Sequence, residues 1–392
     1  MKRVFMSAPA LVCCAGRNGS ELYDSCLSGR RDGFVTREAA AGKFPVGMVS
    51  GELPPVKTPQ FGNPAFAGGT RIIRLICAAL EQLAPAVEKA ILQYGREKIG
   101  VCLGSCDNGS EASLAAHNKL FSDGAFPEDY DLRYQSASFP AEFVSRLFGI
   151  CGPVFTAATA CASGASAIAR GAELIRSGVC GAVIAGGADV VSETVFSGFL
   201  SLEAVSSDLT NPFSKNRKGI NLGEGAAFFL LTEGDGSGVE LLGAGESSDA
   251  FHMTAPGTDG AGPVRAMKAA LAEAGIESRD IGYVNLHGTG TELNDRAEAL
   301  AMNAVFPQTP ASSTKPVTGH TLGAAGALEA AICWMVLTEK RGLPVHCWDG
   351  VKDESLPFTP GLHGEAAPAV CMSNSFAFGG CNVSLIMGRN PR

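Results

Sequence analysis

The chain has 392 residues, long enough for one large core or for two fused halves. Its net charge of −8, without a basic tract or zinc-finger spacing, argues against a nucleic-acid binder, and its 49 glycines follow no strict period, which excludes a fibre. No uninterrupted apolar stretch reaches membrane-spanning length.

In chain order, Val4 to Cys13 reads as a first β-strand and turn rather than a targeting signal. The 13 cysteines are scattered and read mostly as small buried hydrophobes in a reducing cytoplasm. Cys102 and Cys106 lack a second Cys or His pair at ligand spacing, so no metal is expected. Helical periodicity predicts a helix over Thr70 to Tyr94, followed by a strand over Ile99 to Leu103. The segment FTAATACASG then leads into a small-residue helix, Ala162 to Ser177, and a strand, Gly181 to Ala185. After the polar turn LTNPFSKNRKGINLGEGA comes a strand, Ala226 to Leu231.

The turn TEGDGSG, Gly234 to Gly238, marks a boundary between two similar halves, 1–234 and 235–392. The second half offers helices over Gly262 to Ala274, Asp295 to Val305 and Ala324 to Thr338. It offers strands over Gly282 to Leu286 and Val370 to Met372. Strands alternating with long helices predict an α/β body with a parallel or mixed sheet.

Cys161 lies between an apolar run and a helix start, where orphan N–H groups and the helix dipole favour a thiolate nucleophile. Taken alone, that position fits a buried structural cysteine equally well. Two histidines, His287 in YVNLHGTGTELND and His320 in STKPVTGHTLGAAG, stand in Thr/Gly turns at the ends of apolar runs. Two neutral imidazoles facing one cysteine would donate hydrogen bonds to a developing oxyanion, and one could serve as base for the thiol. His117, His346 and His363 lack such surroundings, and His252 is at most a residue of the substrate mouth. Lys315 precedes His320 by five positions, and Glu329 sits inside an apolar helix, where a carboxylate must be paired or costly. A Lys315–Glu329 partnership is one reading, with a surface lysine as the other. SNSFAFGGCN, Ser373 to Asn382, is a glycine-rich turn whose amides could complete an oxyanion hole, with Phe376 and Phe378 as walls against water. Arg217 and Lys218 border the substrate mouth or hold a loop. GxGxxG after a first strand and GxxxxGK(S/T) are both absent, which disfavours nicotinamide and nucleotide enzymes.

Together, TACASG, NPFSKNRKGINLGEGA, SSDAFHMT, VNLHGTGTELND, STKPVTGHTLGAAGALE and SNSFAFGGCN resemble the β-ketoacyl-acyl-carrier-protein synthase family, in order, from about Gly100 to the C-terminus. The resemblance implies a thiolase-like fold of two halves forming a five-layer αβαβα body. It implies a decarboxylative Claisen condensation through an acyl-Cys161 intermediate, without metal or organic cofactor. His287 and His320 would promote malonyl decarboxylation, Lys315 would orient that pair, and Glu329 would support it. Cys161 and Phe378 would supply the oxyanion amides, with Phe378 as gate. Phe376, Thr289, Thr291 and Thr318 would bind substrate. The implied partners are an acyl carrier protein and a second subunit, identical or homologous, in a cytoplasmic setting. GELPPVK and the LND stretch look similar to the aryl-polyene branch, with ordinary fatty-acid elongation as the other reading. The chain departs from the family in ALVCCAGRNG, which lacks a proline, and at Ile220, Asn294 and Ala377. Cys381 of Gly380-Cys381-Asn382 does not match the Cys-x-Gly of a degradative thiolase. A non-catalytic chain-length factor would lack the cysteine, which this chain retains.

Overall fold

The computed structural model describes residues 2–56, 70–107, 109–128, 130–234, 238–361 and 367–389. His363 and the centre of the expected boundary, 235–237, lie outside these residues. The first apolar run is two strands, β1 (Val4–Met6) and β2 (Ala10–Cys13), rather than one. Pro9 stands in the break, where its missing N–H could not serve a ladder.

Helix α1 (Gly19–Ser28) follows, capped by Asn18, and the hairpin β3 (Phe34–Ala39) and β4 (Gly42–Gly47) forms a small separate sheet. Next come α2 (Arg71–Tyr94), β5 (Ile99–Gly104), α3 (Ser110–Asp123), α4 (Phe139–Phe148) and β6 (Val154–Ala157). The first half ends with α5 (Ser163–Arg176), β7 (Ala182–Asp189), α6 (Glu193–Ser201) and β8 (Gly225–Glu233). The second half holds β9 (Val239–Ser248), α7 (Ala261–Ala274), β10 (Tyr283–Asn285), α8 (Glu292–Val305) and β11 (Ala311–Ser312). The short α9 (Lys315–Thr318), α10 (Ala325–Glu339), β12 (Val370–Phe376) and β13 (Cys381–Arg389) complete it.

Apart from the hairpin, the strands form one sheet in the order β11-β10-β12-β13-β9-β1-β8-β7-β5-β6, with β2 beside β8. The two halves repeat one pattern. β6, β5 and β7 run parallel with β8 antiparallel, and β11, β10 and β12 run parallel with β13 antiparallel. β1 pairs antiparallel with both β8 and β9 and joins the halves.

Alternation along the strands separates the layers. Val183, Ala185, Phe229 and Leu231 enter a central core, whereas Ala182, Ile184, Phe228 and Leu230 enter an outer one. Helices α5 and α10 fill the central layer between the two halves of the sheet, α2 and α4 cover one outer face, and α7 with α8 covers the other. The body is therefore the five-layer thiolase-like αβαβα fold. Each phenylalanine of the Phe228–Phe229 pair is fully buried, contributing about 1.5–3 kcal/mol over an exposed side chain.

The small residues of α5 and α10 have a measurable purpose. A Cβ added at Gly164 would stand 2.8 Å from the carbonyl oxygen of Gly323, so only glycine lets α5 approach the turn before α10. The stretch Leu322–Glu339 is apolar and long enough to span a membrane, but 83% of it is buried as the central layer of a globular body. Both central helices start from the same device: a residue at positive φ (Ala160, 50°; Leu322, 50°) opens a 3-10 turn that runs into the helix. That matched geometry sets Cys161 beside the His320 turn.

Candidate active site

Cys161 sits in the turn Ala160–Ala162, two residues before the first residue of α5, and is 5% exposed. His320 Nε2 lies 3.0 Å from Cys161 Sγ. The His287 ring stands edge-on to that of His320, centroids 5.4 Å apart, and both line one cavity of about 430 Å³ with Cys161. Lys315 is buried behind the pair. Its Nζ contacts His287 Nδ1 (3.2 Å) and His287 O (2.5 Å) and forms a short ion pair with Glu329. The pairing of Lys315 with Glu329 is thus realised, and a surface lysine is ruled out. A donor on Nδ1 places the imidazole proton of His287 on Nε2. Among the described residues His320 Nδ1 has no hydrogen-bond partner, so no contact to it fixes that ring's tautomer.

Burial dominates the electrostatics. It pushes both imidazoles well below the usual histidine range, helped by Lys315, so both are neutral. It pushes the Cys161 thiol up to about 12, against the lowering pull of Lys315, with Asp189 and Glu329 raising it further. This corrects the thiolate expected from the helix start: desolvation outweighs the local positive charge, and the resting group is a thiol. Burial likewise holds Glu329 up at about 7, opposed by Lys315.

Phe376 ends β12 with its ring 6.3 Å from that of His287. Phe378, in the following turn, stacks on Phe199 at 5.9 Å. Both phenylalanines line the cavity, as do Thr289, Thr291, Arg217, Lys218 and Asn294. Thr318 does not. It is buried under the loop, out of reach of the cavity, and its hydroxyl donates its proton to the carbonyl of Gly319 (2.8 Å). Arg217 both borders the cavity and holds a loop, through Asp353 (2.6 Å). His252 is exposed and accepts from the amide of Thr254 (3.1 Å), a cavity residue. A second cavity of about 280 Å³ also reaches Cys161, between Ser105, Cys106, Ala160, Val195 and Leu322, with Phe199 and Phe378 shared between the two.

Several buried acids escaped the sequence reading. Glu298 takes the amides of His287 (2.8 Å) and Gly288 (2.7 Å), although burial raises it to about 8. Asp295 takes those of Phe213 (2.7 Å) and Gly290 (3.1 Å). Asp189 gathers the amides of Cys106, Asp107 and Gly323, tying the second cavity's wall to the turn after His320. Asp189 had a sequence signal, an acid at the end of an apolar strand; Asp295 and Glu298 lie in the polar helix α8, where nothing in the sequence singled them out.

A thiolase-like body that brings one cysteine and two neutral histidines into a single cavity defines the class of condensing enzymes. Residues 57–236 match the beta-ketoacyl synthase N-terminal domain and residues 239–346 the C-terminal domain, and the chain belongs to that family. It is a catalytic condensing enzyme, an acyltransferase of the β-ketoacyl synthase type. Among relatives, Nodulation protein E of Rhizobium meliloti is 37% identical over 86% of this chain and 87% of its own. The 3-oxoacyl-(acyl-carrier-protein) synthase 2 of Vibrio cholerae is 34% identical over 78% of this chain and 80% of its own. A solved ketosynthase in complex with its chain length factor, from Xenorhabdus doucetiae, superposes with a TM-score of 0.91 at 40% identity, covering 99% of this chain and 98% of that one. The ishigamide ketosynthase/chain length factor superposes at 0.84 with 26% identity, covering 99% of each chain.

Proposed function

We propose that this chain elongates an acyl chain carried on an acyl carrier protein, with Cys161 as acyl acceptor. The 3.0 Å approach of His320 Nε2 to Cys161 Sγ carries the reading. As the thiol attacks the carrier thioester, His320 takes its proton. A tetrahedral oxyanion forms on the amides of Cys161 and Phe378, and the carrier thiol leaves with a proton. The neighbouring amides of the Phe378 turn are engaged: Ala377 with Cys381 (2.8 Å) and Gly379 with Met253 (2.8 Å).

Malonyl carrier then enters past Thr289 and Thr291, whose hydroxyls suit the amides of the carrier arm. Its carboxylate leaves as CO₂, and the electron pair moves into the thioester to give an enolate. Nε2–H of His287, with His320, stabilises the enolate oxygen, and Lys315, paired with Glu329, holds His287 in that tautomer. Phe376 and Phe378 keep water away. The enolate attacks acyl-Cys161, sulfur departs and takes up one proton from solvent by way of His320 to restore the thiol, and the 3-oxoacyl carrier is released.

We assign the chain to the aryl-polyene branch, paired with a homologous chain-length-factor subunit. The 40% identity to the Xenorhabdus doucetiae ketosynthase complex supports this. The edge of β6, unpaired among the described residues and carrying the exposed Phe155, suits a second subunit, identical or homologous. The Vibrio cholerae relative favours a second reading, fatty-acid elongation as a homodimer. We divide the chain after Gly234 into a cysteine half, 1–234, and a histidine half, 235–392. We place it in the cytoplasm, where 13 free cysteines remain reduced. The test is chain elongation by the purified protein, alone and with a co-expressed homologous subunit lacking the cysteine. Polyene acyl carriers used only with that subunit support the assignment; saturated carriers elongated by the chain alone favour the second reading.

A further inference from the structure

His346 does not line the cavity, yet it closes a ring of hydrogen bonds around the histidine loop. Its Nδ1 accepts from the amide of Ser313 at 3.2 Å. A nitrogen that accepts an amide proton carries none, so the ring proton is on Nε2, which donates to the carbonyl of Pro212 at 3.2 Å. Phe213 packs edge-on against the imidazole, centroids 6.1 Å apart, and Trp348 covers it at 5.7 Å. Burial pushes the imidazole down to about 4, so it keeps this neutral acceptor–donor form through the working range.

Ser313 is the pivot. Its hydroxyl donates to the carbonyl of Gly288 (2.7 Å) and accepts from the amide of Lys315 (3.4 Å). It therefore touches the residue after His287 and the backbone of Lys315 at once. On the other side, Pro212 precedes Phe213, a non-glycine residue at φ 61°, a conformation that needs support from its surroundings. The amide of Phe213 is held by Asp295, whose other oxygen holds the amide of Gly290. The ring thus runs from His346 to Ser313, to the Gly288–Gly290 loop, to Asp295, to Pro212–Phe213 and back.

We propose that His346 is a positioning residue for malonyl decarboxylation, acting through Ser313 on His287 and Lys315. The inference rests on the condensing reading above. Cys161 stands in the turn that opens α5 and His320 just before the turn that opens α10, and neither is a member of this ring. Loss of His346 therefore separates the two half-reactions.

The test measures two rates on the full chain with its subunit partner: acyl transfer to Cys161 by intact mass, and CO₂ release from malonyl carrier. Wild type must do both; if it does neither, the condensing reading has failed and not this inference. His346→Leu should slow CO₂ release by about 10- to 100-fold while acyl transfer stays within about twofold. His346→Gln should restore most of the CO₂ release, because one amide can accept from Ser313 and donate to Pro212. Ser313→Ala should give the same split as His346→Leu and decides the matter if the latter does not fold. Equal loss of both rates, no loss of either, or a Gln variant no better than Leu would overturn the proposal.

Discussion

Nε2 of His320 stands 3.0 Å from Sγ of Cys161, across 159 residues of chain. The two meet because α5 and α10 start from matching turns on either side of one central layer. That contact matters because burial leaves Cys161 a thiol, raised to about 12. A proton must move before sulfur can bond to carbon, and His320 is the group within reach.

The first prediction follows from that proton. His320→Ala should slow acyl transfer by about 10²- to 10⁴-fold, the usual contribution of a positioned base. In that variant the rate should climb about tenfold per pH unit, following the thiolate fraction below the thiol pKa. Rapid-quench loading at several pH values reads both. A pH-independent residual rate would mean that the proton leaves by another route.

Lys315 and Glu329 are a buried pair, and removing one strands the other. Lys315→Met should destabilise the fold by about 3–5 kcal/mol in denaturant unfolding. Lys315→Met with Glu329→Leu should recover most of that stability, since a buried pair can be replaced by apolar residues of similar volume. Decarboxylation should stay low in both, because His287 has lost the donor on Nδ1. Recovery of decarboxylation in the double variant would remove Lys315 from the mechanism.

Glu298 gives a pH dependence whose sign is fixed. Its folded pKa, about 8, lies above the ordinary value of 4.5, so the folded state binds the extra proton between those limits. The stabilisation is complete below about 4.5 and is lost as pH rises towards 8. Asp189, raised to about 7, adds to the same trend. Melting temperature should therefore fall from pH 5 to pH 8 by this contribution, and Glu298→Gln, which cannot titrate, should flatten the slope. A Gln variant with an unchanged slope would place the titration elsewhere.

Gly104 and Gly164 are where the nucleophile turn is packed most tightly. A Cβ on Gly104 would come within 2.3 Å of the Ser163 backbone, and one on Gly164 within 2.8 Å of Gly323 O. Each alanine variant should cost about 1–3 kcal/mol, with the larger loss at Gly104, where only backbone can yield. Chemical denaturation checks the order; a Gly104→Ala protein as stable as wild type would show that Ser163 shifts freely.

The central features of this site were legible because their signals are local. A cysteine at a small-residue helix start and two histidines in Thr/Gly turns can be seen in short windows, and the cavity gathers all three. The rest was hidden for identifiable reasons. Glu298, Asp295 and Asp189 act on backbone amides, which no side-chain pattern announces. His346 takes its role from Ser313 and Pro212, neither adjacent in sequence. Thr318 looked available in its turn, but it is buried away from the cavity. The ionisation of Cys161 depends on burial, which the helix-start argument did not weigh. In the fold, Pro9 broke an apolar run that periodicity alone reads as one strand, and β9 and β13 passed unread although they form the core of the second half's sheet.

The most direct test is intact-protein mass spectrometry after incubation with acyl-carrier thioesters, followed by malonyl carrier, with Cys161→Ala as control. The account predicts an acyl adduct on wild type, absent from the variant, that disappears when malonyl carrier is added and a 3-oxoacyl carrier forms. An adduct that persists in Cys161→Ala, or product formed without any adduct on Cys161, would contradict it.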